Sequence, residues 1–308
     1  MSLKNSPPRA DYILTCIGRE IAPNFYEALS AHLSAIGITL SQSKKMAERE
    51  VQCVAISLTT EIVLPPDSVM EKISPLRETF GVDLVLQTAD AYALPKKLIV
   101  MDLDSTLIAA EVIDELAKEA GVGEKVAEIT RRAMNGEIHF PDALRERVRL
   151  LKGLPVSTLQ KVYQRILFTP GAIDLIATLQ TRGYKTAVLT GGFDYFAIRF
   201  KEKLKLDYVF SNGMEIKEDR ITGEISGEIV DGPKKAALME EIARIEGIAL
   251  TSVVAIGDGA NDLPMIKKAG LGIAFNAKPS VRTAAPHAVT QKSLTCVLHL
   301  LGIPEDEI

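Results

Sequence analysis

The stretch Leu98-Ile99-Val100-Met101-Asp102-Leu103-Asp104-Ser105-Thr106 decides how this chain is read. Four apolar residues without a polar interruption predict a buried strand, and that strand delivers two carboxylates one residue apart at its end. Like charges that close are costly unless a cation or a shared proton offsets them. The segment therefore looks built to hold a metal ion and do chemistry. Taken alone, an Asp-x-Asp step is more often a turn or a helix cap, so its surroundings must decide.

Downstream, apolar runs predict further strands over residues 185–190, 253–257 and 271–275. Helical patterns lie between them. Residues 172–181 read as a helix with Thr169 as N-cap and Pro170 at its first position. Residues 235–246 carry one apolar stripe of Ala237, Leu238, Ile242 and Ile245. Strand alternating with helix implies a parallel sheet covered on both faces. One interruption breaks the rhythm: residues 110–168 are helix-rich with no convincing strand, and they follow the paired aspartates directly, as a lid would.

Upstream, residues 12–18, 51–58 and 82–87 read as strands and residues 25–36 and 69–80 as helices, with Phe25, Leu29, Leu33 and Ile36 at helical spacing. That order predicts a small α+β sandwich of ferredoxin type over residues 1–93, with no catalytic constellation of its own. Ala93-Leu94-Pro95-Lys96-Lys97 is the expected linker.

A chain of 308 residues has room for both parts, and 47% hydrophobic with 25% charged residues is ordinary for a globular protein. A net charge of -4 argues against a nucleic-acid surface. No apolar stretch is long enough to span a bilayer, and the first residues lack a signal-peptide pattern. Cys16, Cys53 and Cys296 are far apart and odd in number. They read as free thiols in a reducing cytoplasm.

Three predicted strands end in polar residues, at Asp102, Thr190 and Asp258, and ligands of open α/β sheets bind beyond such ends. Each has a plainer reading. Thr190-Gly191-Gly192 alone is a tight strand-to-helix turn. In Gly257-Asp258-Gly259-Ala260-Asn261-Asp262, Asn261 can cap the helix that contains Pro264. This is not a dinucleotide fingerprint, because the third glycine is missing. Three coincidences at three strand ends are hard to explain as independent loops.

These elements, with a lysine at Lys235, resemble the signature of the haloacid dehalogenase superfamily. The likeness extends to its phosphoserine-hydrolysing branch through Asp104-Ser105-Thr106-Leu107 with Glu111 beyond, Phe140 with Arg147, and Leu189-Thr190-Gly191-Gly192-Phe193. Ala274-Phe275-Asn276-Ala277-Lys278-Pro279, after the 257–262 segment, completes it. It covers about residues 98–290. The branch usually has serine where Thr190 stands; the hydroxyl is kept, and the added methyl bears on substrate fit.

The resemblance implies a Rossmann-like parallel sheet over residues 94–308 with a helical cap at about 110–168, and an ACT-like module over residues 1–93. Such modules bind amino acids or pair between subunits, so a homodimer is one outcome and a plain packing domain another. Gly18-Arg19-Glu20-Ile21-Ala22-Pro23-Asn24 falls at the ligand loop, with Asn24 where glycine is frequent. In the implied site Asp102 is the nucleophile and Asp104 the general acid and base. Mg2+ is ligated by the Asp102 carboxylate, the Asp104 main-chain carbonyl and Asp258. Thr190, the Gly191 amide and Lys235 hold the phosphoryl oxygens; Lys235 is favoured over Lys234 because it precedes Ala236. Asn261 and Asp262 orient the metal shell or Lys235, with a capping role nearly as good for Asp262. Glu111 meets the substrate ammonium, Arg147 its carboxylate, and Met134 and Phe140 line the pocket. Arg131, Arg132, Arg145 and Arg149 read as solvated charges, and His32, His139, His287 and His299 receive no role. The implied activity is hydrolysis of O-phospho-L-serine at the end of L-serine biosynthesis. Its rivals are a phosphatase or phosphotransferase for another small phosphorylated amino acid or metabolite, and an amino-acid sensor.

Overall fold

The computed structural model describes residues 10–134 and 137–308. Its first part runs β1 (Tyr12–Gly18), α1 (Pro23–Ser34), β2 (Ile38–Ala47), β3 (Gln52–Thr60), α2 (Pro66–Ile73), α3 (Pro75–Phe80) and β4 (Asp83–Thr88). The strands form an antiparallel sheet in the order β2-β3-β1-β4. Tyr12, Leu14 and Cys16 of β1 bury one face against Phe25, Leu29 and Leu33 of α1 and Val69 and Ile73 of α2. Ile17, Cys53 and Ala55 join the core of the remainder of the chain. Alternation along the strands thus serves two cores at once.

Two features depart from expectation here. The helix foreseen over 69–80 is two helices, divided at Ser74-Pro75, because a proline ring cannot donate and crowds the turn before it. Strand β2 was not foreseen at all. It is an edge strand whose Ser41, Gln42, Ser43, Lys44 and Lys45 are exposed, the polar dress that edges wear.

The second part begins with α4 (Ala89–Ala93) and β5 (Leu98–Met101). Four helices follow: α5 (Val112–Glu119), α6 (Gly123–Met134), α7 (Phe140–Arg149) and α8 (Val156–Arg165). They form the helix-rich segment, here called the lid, expected over residues 110–168. Then come α9 (Ala172–Thr181), β6 (Lys185–Phe193), α10 (Asp194–Leu204), β7 (Tyr208–Lys217), β8 (Arg220–Ser226) and α11 (Gly232–Ile245). The chain closes with β9 (Val253–Gly257), α12 (Leu263–Lys268), β10 (Leu271–Phe275), α13 (Pro279–Ala284), β11 (His287–Val289) and α14 (Cys296–Leu300).

The sheet order is β11-β10-β9-β5-β6-β7-β8, parallel throughout except for β8. Strand β5 is central, with β6 on one side and β9 on the other. The chain order reverses there, which opens a crevice beyond the strand ends. Helix α9 is not capped by Thr169 as expected; its N-cap is Gly171 at φ 73°, and the Thr169 carbonyl accepts from Ala172 N–H at 3.0 Å. The β7–β8 hairpin is a second unforeseen element. It stitches the lid to the sheet through Gly153 N–H to Ile221 O, 2.8 Å, and Val156 N–H to Asp219 O, 2.9 Å.

At the seam between the two sheets, the Asp83 carboxylate accepts from Thr290 N–H (2.6 Å), Thr290 Oγ1 (2.9 Å) and Gln291 N–H (3.2 Å). Gln87 Nε2 donates to the Leu300 carbonyl at 3.0 Å. All three cysteines are free and buried. Among the described residues no helix is long and apolar enough to cross a membrane.

Candidate active site

Asp102 stands one residue beyond β5, its N–H tied to the Ile256 carbonyl of β9 at 3.0 Å. Its Oδ1 accepts from Leu103 N–H and from Lys235 Nζ, both at 2.8 Å. Lys235 is fully buried in the first turn of α11, a helix capped by the Asp231 side chain on Lys234 N–H at 2.9 Å. Its second partner is Asp262 Oδ1 at 2.7 Å. Burial works against the ammonium, but Asp102 and Asp262 outweigh it and hold the pKa above that of an ordinary lysine. The neighbouring Lys234 instead pairs with Glu228 at the surface, 2.6 Å. The structure thereby separates two adjacent lysines that composition could not.

Asp262 is fully buried, and its Oδ2 accepts from Gly259 N–H at 3.0 Å. It occupies the N-cap position of α12, yet no side-chain cap bond forms there. Asp262 thus caps the short turn at residues 260–262 through Gly259 N–H, not α12, and its other oxygen holds Lys235; Asn261 is not the N-cap of the helix containing Pro264 and folds its Oδ1 over Gly259. Gly257 makes this possible. A Cβ at that position would collide with the carboxyl carbon of Asp262.

Asp258 receives one hydrogen bond, from Thr106 Oγ1 at 3.0 Å. Burial, then Asp102 and Asp262, push its pKa up to about 7. Carboxylate oxygens of Asp102, Asp258 and Asp262 all lie within 4.8 Å of one another. Lys235 neutralises part of this charge, and among the described residues no ion pair reaches Asp258. An all-oxygen donor set with excess negative charge fits a hard divalent cation. Both Asp262 oxygens are already engaged, so Asp102 and Asp258 are the carboxylates left to ligate.

Asp104 turns its side chain elsewhere. Its Oδ1 accepts from Val112 N–H at the start of α5, 2.9 Å, and its Oδ2 lies against Gly192, 2.5 Å from where a Cβ would stand. Burial first, then Glu111 and Asp102, raise its pKa well above the carboxylate range. A carboxyl that keeps its proton can give it to a leaving group.

Across the crevice Thr190 is fully buried at the end region of β6, its Oγ1 accepting from Gly192 N–H at 2.8 Å. Phe140 of the lid packs its ring over Gly191, with Cζ 2.8 Å from a Cβ placed there. Glu111 accepts from Ser105 Oγ at 2.7 Å, and Ser105 takes a left-handed φ of 56° to reach it. Arg147 is held by Ala143 O at 3.2 Å and Thr130 Oγ1 at 3.4 Å, and its charge feels Glu111, Asp114 and Asp104. Arg131, Arg132 and Arg145 make ion pairs with Glu128, Glu146 and Asp142 on the lid surface. Met134 ends α6, and its side chain lies outside the described residues.

The sequence reading missed Thr106, Gly192 and Asn212. Asn212 had a usable signal, since it lies two residues past the apolar run Tyr208-Val209-Phe210, close to where Asp102 stands after its own.

This fold and site define a class. The haloacid dehalogenase-like hydrolase signature matches residues 99–267, and the chain belongs to that family. Among curated relatives, the phosphoserine phosphatase of Archaeoglobus fulgidus is 53% identical over 229 residues, 74% of this chain and 67% of its own length. A haloacid dehalogenase family hydrolase from Salmonella enterica serovar Typhi covers 96% of this chain and 100% of its own, at TM-score 0.84 and 31% identity. A substrate-bound phosphoserine phosphatase covers 67% of this chain and 98% of its own, at TM-score 0.64 and 47% identity.

Proposed function

We propose that this chain is a Mg2+-dependent phosphatase that hydrolyses O-phospho-L-serine to L-serine and phosphate, the closing reaction of serine biosynthesis. The observation that carries the reading is the division of labour between two aspartates two residues apart. Asp102 lies 2.8 Å from the Lys235 ammonium, while burial, with Glu111 and Asp102 nearby, raises the pKa of the Asp104 carboxyl well above the ordinary carboxylate value.

Asp102 attacks phosphorus, forming an aspartyl-phosphate as the bond to the serine oxygen breaks. Asp104 gives its proton to that departing oxygen, then takes one from the water that opens the intermediate. Thr190 Oγ1, the Gly191 N–H and Lys235 surround the transferring oxygens as donors set in place before the reaction. A divalent cation held by the Asp102 and Asp258 carboxylates and the Asp104 carbonyl would offset the charge of nucleophile and phosphate. Glu111 takes the substrate ammonium and Arg147 its carboxylate, a fork suited to bidentate contact. The β1-α1-β2-β3-α2-α3-β4 order of residues 12–88, with its second helical layer in two pieces, supports a ferredoxin-like, ACT-type module. We assign it amino-acid sensing or homodimer formation, and the enzyme to the cytoplasm.

The deciding experiment measures phosphate release from O-phospho-L-serine, O-phospho-L-threonine and phosphohomoserine at equal concentration, with Mg2+ and with chelator. Glu111→Gln and Arg147→Ala should each cut kcat/KM for phosphoserine about ten- to hundredfold, the worth of one charge-assisted hydrogen bond. An unchanged preference in both variants would refute the substrate assignment.

A further inference from the structure

The ladder between β6 and β7 breaks at the site. Leu189 lies opposite Phe210 and Phe193 opposite Asn212, so Thr190, Gly191 and Gly192 stand against Ser211 alone. Three residues facing one cannot all keep ladder partners, and a buried carbonyl left over must find another donor. The Gly191 carbonyl finds it in a side chain: Asn212 Nδ2 donates to it at 2.7 Å. The same amide accepts at Oδ1 from Val230 N–H, 2.8 Å, one residue before the Asp231 cap of α11. A carbonyl can only accept and an N–H can only donate, so these partners fix which way the amide faces. Asn212 is fully buried.

The peptide unit joining Gly191 to Gly192 is consequently pinned at both ends. Its carbonyl is held by Asn212, and its N–H donates to Thr190 Oγ1 at 2.8 Å. With one lone pair of Thr190 Oγ1 taken by a backbone donor, the hydroxyl keeps its proton free to donate to a ligand oxygen. The other end of the amide steadies the segment that enters α11, from which Lys235 reaches Asp102.

We propose that Asn212 is a positioning residue for phosphoryl transfer, one buried amide that sets Thr190 and Gly191 in register with the helix carrying Lys235. It touches no reacting atom. It acts by keeping the donors preorganised, where small displacements are expensive in rate. The proposal rests on the phosphatase reading above.

The test compares Asn212→Asp, which keeps an oxygen for Val230 but opposes one to the Gly191 carbonyl, with Asn212→Leu, which loses both bonds. Each Mg2+-loaded variant is assayed for kcat and KM, for inhibition by orthovanadate and by L-serine, and for thermal unfolding. Expected is a kcat about thirtyfold lower, with KM for phosphoserine within about threefold, as for a group felt in the transition state. The orthovanadate inhibition constant should rise about tenfold and that of L-serine stay within about twofold, because only the phosphoryl cradle is loosened. Wild-type kcat and vanadate inhibition in both variants would overturn the proposal. So would a kcat that falls while vanadate inhibition holds, since that marks a structural role only. If the leucine variant does not fold, the aspartate variant decides between these outcomes. Running the vanadate series with p-nitrophenyl phosphate as well keeps the two claims apart: failure of wild type on phosphoserine alone sinks the substrate assignment and leaves Asn212 testable.

Discussion

Asp83 at the seam between the sheets and Asp258 beyond β9 are both aspartates withdrawn from water, and burial raises the pKa of each. The fold treats them differently. Asp83 is met by two N–H groups and a hydroxyl from residues 290 and 291, with Arg77 nearby, and all of these pull its pKa back down. Asp258 is met by one hydroxyl, while Asp102, Asp262 and Glu111 push in the same direction as burial. A carboxylate fully served by donors is a finished structural joint. One served by other carboxylates is a place prepared for a cation.

That contrast can be broken hardest at Asp102. Asn in its place should lower phosphate release about 10⁴-fold or more, as removal of a nucleophile does. It should also bring Asp258 back toward the ordinary aspartate range, read by NMR titration; a rate within tenfold of wild type would reject the nucleophile. Next is Lys235→Met, which leaves Asp102 and Asp262 buried without their countercharge and should cost about 3–5 kcal/mol in urea unfolding of the metal-free protein.

The pH dependence sharpens the comparison further. Asp258 has a folded pKa of about 7 against 3.8 for the ordinary group, and Asp262 one of about 6. The folded chain then binds more protons than the unfolded one between these values, so metal-free stability should fall as pH rises from about 4 to about 7. Saturating Mg2+ should flatten that slope and add about 2.7 kcal/mol at a hundredfold excess over Kd. Melting curves across the range, with and without Mg2+, check both; a slope indifferent to the ion would remove the case for a cation site. The smallest effect belongs to Asp83→Ala. It should cost about 1–3 kcal/mol of stability, with kcat of the folded enzyme unaltered.

The catalytic sheet was largely legible because its strands are buried on both faces and stand out as unbroken apolar runs ending in polar residues. The strand ends at Asp102, Thr190 and Asp258 do converge, as their spacing along the chain suggested. Elements that live at edges were not legible. Strand β2 carries serines and lysines because an unpaired edge favours them, and so it resembles a loop. The β7–β8 hairpin turns on Glu218 and Asp219, both at positive φ, 50° and 56°, where Asn-Gly would have been the readable signal. Among the candidate site residues the charged ones stood out, whereas Gly192 meets its neighbours through the backbone, which no pattern of residue types encodes, and Asn212 offered only its place after an apolar run. The capping readings of Thr169 and Asn261 failed because a cap is a local inference, and that of Asp262 held only for the short turn at residues 260–262 while its other oxygen went to Lys235.

Gly257 carries a consequence for how this sequence can vary. It has no side chain to offer, yet a single added carbon there would evict Asp262 from beneath the strand end and strand the ammonium it steadies. A mutational scan should therefore score that glycine as intolerant as Asp102, with alanine already losing activity.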